Sequence, residues 1–307
     1  MSFPRVIAID MDGTLLNSRA QVSPRNLAAL RLAEDAGVEP VIATGRRHCY
    51  AMHVLRDQPL SPANALVTSN GTVIRTFAHE LLHRGHMPLS TARWLCANAG
   101  EFRSTLVLTF DNVDATGEDG RGALICERSN LLHGSINRWM DANERYLEHV
   151  DNIEDALGGP PPIQMMICGT IDRMAQAEAR LLEDPRVSAV GSPTTPQTEV
   201  TLHRTAYPER DLSIVDILPA GISKASGLNH LLALRGLTTA DLMAIGDNWN
   251  DLPMLELAAH SVLMSNAPAE LKSLAHSRGW TIAPTNDEDG VAHAIESALT
   301  STLTTSH

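Results

Sequence analysis

Cysteine is scarce: Cys49, Cys96, Cys126 and Cys168 are the four in 307 residues, far apart, with no Cys-x-x-Cys pair and no Cys/His ligand spacing. A disulfide-stapled scaffold or a zinc site is disfavoured, and reduced structural thiols are expected. No run of about 18 apolar residues exists to cross a bilayer, so no membrane partner is expected. The first residues lack a basic segment leading into an apolar stretch and a small-residue cleavage site, which points to a cytoplasmic protein. Positive charge is also short, with 24 Lys and Arg against 36 Asp and Glu, a formal net charge of -12, and no basic stripe. A nucleic-acid backbone would be repelled at long range, so nucleic acid is not a partner and any phosphate must be held by local features. The 13 histidines show no His-x-x-x-His pairing on a predicted helix. No internal repeat or low-complexity tract is present.

What remains, 43% hydrophobic and 20% charged residues, is the composition of a soluble globular chain long enough for two domains with proper cores. Its most informative segment comes first: Val6-Ile7-Ala8-Ile9-Asp10-Met11-Asp12-Gly13-Thr14-Leu15-Leu16. A run of four apolar residues reads as a strand buried on both faces. Period-2 alternation would keep Asp10 and Asp12 on one side as the strand gives way to a loop. Two anions in one small space call for a divalent metal, a raised pKa, or both. An Asp-Gly turn at a surface edge would use the same residues.

Strand and helix signals alternate through the first 85 residues. Ser23-Pro24 makes an N-cap with proline at the first helical position, Leu27, Leu30 and Ala33 form an apolar stripe, and Gly37 closes the helix. Pro40-Val41-Ile42-Ala43 and Ala65-Leu66-Val67-Thr68 read as further buried strands. Right-handed crossovers at this spacing imply a parallel sheet, and ligands bind such sheets at the carboxyl ends of their strands. The polar loops Thr44-Gly45-Arg46 and Ser69-Asn70-Gly71 fall at that end. The rhythm returns late, with a helix from Lys224 capped by Ser223, the strand Leu242-Met243-Ala244-Ile245, and another helix from Leu252. The text between is different, with helical and strand stretches that do not alternate simply. It predicts an inserted α+β domain, and a tail over residues 301–307 is expected to fray.

Three further elements can carry chemistry. Thr44-Gly45-Arg46-Arg47 directly after a buried strand offers a hydroxyl, backbone amides and positive charge to an anion, or else an N-cap with solvated arginines. Lys224 opens a helix, where a cation works against the positive end of the dipole. Neutralising a phosphate or the Asp10/Asp12 pair would justify that placement. Gly246-Asp247-Asn248-Trp249-Asn250-Asp251 is an oxygen-rich loop suited to a hard cation such as Mg2+, or a polar turn.

In this order the four elements resemble the haloacid dehalogenase superfamily of phosphohydrolases, in its Cof-type branch with a C2-type cap. Ile9 to Leu16 match its Asp-x-Asp-Gly-Thr-Leu-Leu motif, Thr44 its second, Lys224 after Pro219-Ala220-Gly221-Ile222-Ser223 its third, and Gly246, Asp247, Asn250 and Asp251 its fourth. Asn70-Gly71 looks like the branch's turn before the cap, and Met264-Ser265-Asn266-Ala267-Pro268 like a closing segment. The resemblance implies a doubly wound, mainly parallel Rossmann-like α/β core of residues 1–85 and 217–307, with an α+β cap of residues 86–216. It implies a Mg2+-dependent phosphatase acting on small phosphorylated metabolites such as sugar phosphates. Asp10 would be the nucleophile and Asp12 the general acid and base. Asp10, Asp247, Asp251 and the carbonyl of Asp12 would hold the metal, and Thr44, Gly45, Arg46, Lys224 and Asn250 the phosphate. A monomer or weak homodimer is expected. A phosphomutase on the same scaffold or a non-catalytic phosphometabolite sensor would keep the same residue types. One departure is the polar, proline-dotted stretch of residues 191–210, longer than the compact return to the core usual in this branch.

Overall fold

Val6–Ile9 is a strand with all four residues buried, as an apolar run flanked by strands on both sides must be. The computed structural model to which it belongs describes residues 4–128 and 134–303. In chain order the elements begin β1 (Val6–Ile9), α1 (Pro24–Asp35), β2 (Glu39–Ala43), α2 (His48–Leu55), β3 (Ala65–Thr68), β4 (Val73–Thr76) and β5 (Leu81–Arg84). Then come α3 (Leu89–Asn98), β6 (Leu106–Thr109), β7 (Leu124–Glu127), α4 (Gly134–Asn143), β8 (Leu147–Val150), β9 (Gln164–Gly169) and α5 (Ile171–Leu181). Three strands follow, β10 (Val187–Ala189), β11 (Val200–Tyr207) and β12 (Leu212–Pro219). The chain finishes with α6 (Lys224–Leu234), β13 (Leu242–Gly246), α7 (Leu252–Leu257), β14 (His260–Met264), α8 (Ala269–Arg278), β15 (Thr281–Ala283) and α9 (Gly290–Leu303).

These elements form two units, Met1–His83 with Ser223–His307, and Arg84–Ile222. The sheet of the first runs β15-β14-β13-β1-β2-β3-β4-β5 among the described residues. It is parallel from β15 to β3, and β4 turns back antiparallel on β3. Alternate residues feed two cores: Ile7, Ile9, Ile42 and Leu66 pack on one face with Leu30 of α1, and Val6, Ala8, Val41 and Val67 on the other with Leu228 of α6. α1 begins as the sequence predicts, with the Ser23 hydroxyl accepting the Asn26 amide at 3.0 Å and proline in the first turn.

The sheet of the second unit runs β10-β11-β12-β9-β6-β7-β8. Most of its neighbours are antiparallel, with parallel pairs at both ends, β10 with β11 and β7 with β8. The proline-dotted 191–210 stretch is a loop only in its first half; from Val200 it becomes β11, paired along its whole length with β12. Of the tail expected to fray over residues 301–307, the first three residues belong to α9, which continues through Leu303; residues 304–307 lie outside the described residues. All four cysteines are buried and free. Among the described residues no helix is long and apolar enough to cross a membrane.

Candidate active site

The chain leaves β1 toward β2 and β3 on one side, and leaves β13 toward β14 and β15 on the other. The crevice of an open α/β sheet lies where that direction reverses, outside the carboxyl ends of the strands. Asp10 follows β1 there and Asp247 follows β13. Pairing continues one residue past the strand, since the Asp10 amide donates to the Ile245 carbonyl at 3.0 Å. Two positions 237 apart in sequence are thereby fixed side by side by backbone hydrogen bonds alone.

Asp10, Asp247 and Asp251 are all buried, and one oxygen from each lies within 4.8 Å of the others. A single ammonium faces them: Lys224 Nζ donates to Asp10 Oδ1 and, at 2.6 Å, to Asp251 Oδ1. Lys224 is itself fully buried at the first position of α6, behind a Ser223/Ser226 capping box. Its unfavourable place at the positive end of a helix is offset by these two carboxylates. Burial works against its charge, Asp10 and Asp251 outweigh burial, and the ammonium titrates above its usual value. Asp251 is the best anchored of the acids, its second oxygen accepting the backbone amides of Asp247 and Asn248, each at 3.0 Å. That bond set closes the loop after β13 and presents Asp247. Burial first, then the nearby Asp251 charge, push Asp10 well above the usual carboxylate range. The same two causes push Asp247 up to about 7. Three buried acids against one ammonium leave negative charge that one more cation would neutralise.

The sequence reading put the Asp12 side chain on the same side as Asp10, and the structure corrects that geometry. β1 stops at Ile9, so the period-2 geometry does not extend through Asp10 and Met11. The Asp12 side chain is half exposed and takes a two-pronged contact from Arg46, Nε at 2.8 Å and Nη2 at 2.5 Å. Thr44 is buried at the end of β2 and its hydroxyl accepts the Arg46 amide at 3.1 Å. Gly45 lies against the Asn70 side chain, and Asn250 is half-buried in the turn between Asp247 and Asp251. Two supports went unassigned in the sequence. Thr14 donates its hydroxyl to Asp247 Oδ1 at 2.8 Å, and the Asn266 amide donates to the Gly13 carbonyl at 2.8 Å. Each sits within a motif already noticed, but side-chain direction in a loop has no period to read.

Backbone freedom matters at two glycines here. Gly13 has φ +82°, and a Cβ there would lie 2.4 Å from Asp247 Oδ2. Gly71 has φ +101°, and its Cβ would lie 2.0 Å from the Ser223 carbonyl at the start of α6. The Gly71→Ala variant is expected to lose more than about 2 kcal/mol of stability, from strain at positive φ together with the clash. A urea midpoint equal to that of the parent would contradict this reading of the turn.

His79-Glu80-Leu81-Leu82-His83 has the spacing that chelates zinc when carried on a helix. Here it spans a turn and β5, with His79 against the ring of His48 and His83 stacked on His230 at 3.9 Å, so its two rings are committed elsewhere.

A sequence profile of the haloacid dehalogenase-like hydrolases matches residues 7–295. The chain belongs to that family. Its relatives include the 5-amino-6-(5-phospho-D-ribitylamino)uracil phosphatase YwtE of Bacillus subtilis, 28% identical over 96% of this chain and 98% of the relative. Phosphatase YwpJ of the same organism is 29% identical over 96% of this chain and 100% of the relative. Among solved structures, the phosphatase BT1666 of Bacteroides thetaiotaomicron aligns with a TM-score of 0.72 at 24% identity, covering 96% of this chain and 95% of that one, a likeness of fold. The haloacid dehalogenase-like hydrolase is thus a phosphatase of the Cof-type branch, with an α/β core and an inserted α+β domain.

Proposed function

We propose that this phosphatase hydrolyses small phosphorylated metabolites, sugar phosphates or related monoesters, with Mg2+ and through a phosphoryl group carried on Asp10. The observation that carries the reading is the buried trio Asp10, Asp247 and Asp251 facing a single ammonium. An all-oxygen donor set with surplus negative charge fits a small hard cation. The carboxylates of Asp10 and Asp247 and the backbone carbonyl of Asp12 would hold it, with Asp251 fixing the loop of Asp247. When bound, Mg2+ supplies charge neutralisation for the transferring phosphoryl group.

The chain's own residues do the rest. An oxygen of Asp10 attacks phosphorus as the ester P–O bond breaks, and Asp12 gives its proton to the departing alkoxide. Asp12 then takes a proton from the water that attacks the same phosphorus, releasing inorganic phosphate and restoring Asp10. Thr44 and Lys224 hold the non-bridging oxygens of the phosphoryl group, with Arg46, Gly45 and Asn250 beside them. Arg46 is bonded to the Asp12 carboxylate, so it also holds the acid and base in place. The inserted unit is assigned the role of a cap that selects among esters.

The test is hydrolysis of p-nitrophenyl phosphate, which should require Mg2+ and stop on chelation; phosphate release that survives chelation would sink the metal-dependent reading. A stability measurement checks the acid cluster separately. Because the folded pKa of Asp247 is about 7 against 3.8 for the free side chain, the folded protein holds a proton that the unfolded chain has lost across that interval. Its stabilising contribution is therefore complete below pH 3.8 and disappears as pH rises through about 7. Metal-free parent should lose stability from pH 5 to pH 8 relative to Asp247→Asn, and Mg2+ should raise the parent's melting midpoint more at pH 8 than at pH 5. Equal Mg2+ shifts at both pH values would argue against a metal competing with protons in this cluster.

A further inference from the structure

The turn Ser69-Asn70-Gly71 follows β3 at the carboxyl end of the parallel strands and carries none of the groups assigned to the reaction. All three residues are buried, and all three have positive φ: +50°, +54° and +101°. Glycine adopts such angles freely. A serine must be held there against a steric penalty, and asparagine tolerates the region better than most side chains do. Two such residues in succession persist only where their surroundings over-determine them, a condition met most often beside functional sites.

Two neighbours supply that constraint, both within the same unit. On one side the Asn70 amide donates to the Thr44 carbonyl at 3.1 Å, and the Ser69 amide to the Arg46 carbonyl at 2.9 Å. A peptide group is planar and trans, so fixing the Thr44 carbonyl also fixes the Gly45 N–H, which points the opposite way, away from the turn. The Asn70 side chain lies against Gly45, where a Cβ would come within 3.0 Å of its Oδ1. On the other side the turn rests on α6. A Cβ on Gly227 would lie 2.9 Å from the Gly71 Cα, so the two backbones meet with no side chain between them. Gly71 also abuts the Ser223 carbonyl, and Lys224 is the next residue. One turn therefore sets the spacing between the Thr44–Arg46 loop and the helix that carries Lys224.

We propose that Asn70 is a positioning residue, whose left-handed backbone aims the Gly45 amide at the phosphate and keeps it in register with Lys224. The assignment rests on the phosphatase reading above. Asn70 acts through the loop and the helix that it braces, by its backbone conformation.

The experiment measures kcat and KM for p-nitrophenyl phosphate, and Ki for inorganic phosphate, in the parent, Asn70→Ala and Asn70→Gly with saturating Mg2+. Alanine is disfavoured at φ +54°, whereas glycine keeps that conformation with no side chain at all. Asn70→Ala should raise KM and Ki about tenfold, the scale of one hydrogen bond. Its kcat should stay within about threefold, because an amide that holds phosphate oxygens alike in ground and transition states acts on binding. Asn70→Gly should keep both constants within about twofold of the parent. KM and Ki do not depend on the fraction of protein folded, so a purely structural role predicts a lower melting midpoint for Asn70→Ala with both constants unchanged. That result overturns the proposal and leaves the phosphatase reading intact. A folded Asn70→Gly with both constants raised tenfold also overturns it, since the side chain would then be what matters. A parent inert toward the ester in the presence of Mg2+ removes both readings.

Discussion

Asp10→Asn abolishes turnover, by roughly 10³-fold or more, while the metal-free protein keeps or gains stability. The activity loss follows from the proposed nucleophile, because an amide cannot form or regenerate the acyl phosphate and removal of a nucleophile forfeits most of an enzyme's rate acceleration. The stability claim follows from burial. Asp10 is pushed well above the usual carboxylate range chiefly by desolvation, then by the charge of Asp251, with Lys224 opposing both. A neutral side chain of the same shape removes that desolvation cost, and Lys224 retains its contact with Asp251. Paired measurements of phosphate release and of the urea midpoint check both halves. A variant as active as the parent removes the nucleophile assignment. A variant that is inactive because it is several kcal/mol less stable removes the account of the cluster's electrostatics.

Lys224→Met carries the second large effect. Lys224 is the ammonium facing Asp10 and Asp251, both buried. Methionine fills similar volume and leaves two buried carboxylates without that partner, a change expected to cost about 3–5 kcal/mol at pH 8. At pH 5 the loss should shrink, because Asp10, already pushed upward by burial, can take up a proton instead of keeping an uncompensated charge. Activity should fall by about 10² to 10³ for loss of one charge stabiliser at the transferring group. Urea unfolding at both pH values, with and without Mg2+, checks this. A destabilisation independent of pH would mean that the lysine acts through packing, since methionine would then fail for reasons of shape.

The alternating strands and helices of the first unit were legible because the parallel sheet buries both strand faces and leaves continuous apolar runs, each ending in a polar loop. Ser23-Pro24 and Ser223-Lys224 marked helix starts through cap chemistry, which is local. β11 was harder to read: it lies in a stretch opened by Pro193 and Pro196, and its outer half alternates with exposed residues at an end of the sheet that only β10 and β12 complete. Asp12 misled because alternation was carried past Ile9, where the strand had ended. Thr14 and Asn266 stand in motifs that the sequence showed, but their contacts with Asp247 and Gly13 gave no signal, since those depend on what stands opposite them.

The sequence by itself determined which residue types would stand at the carboxyl ends of the core strands, because strand periodicity, cap chemistry and motif order are properties of neighbours along the chain. Only the tertiary structure decided which of those side chains meet. It joined Asp10 to Asp247 through β1–β13 pairing and buried Lys224 between Asp10 and Asp251. It also turned Asp12 outward to Arg46, since contacts between distant positions are set by register and packing, which no local pattern encodes.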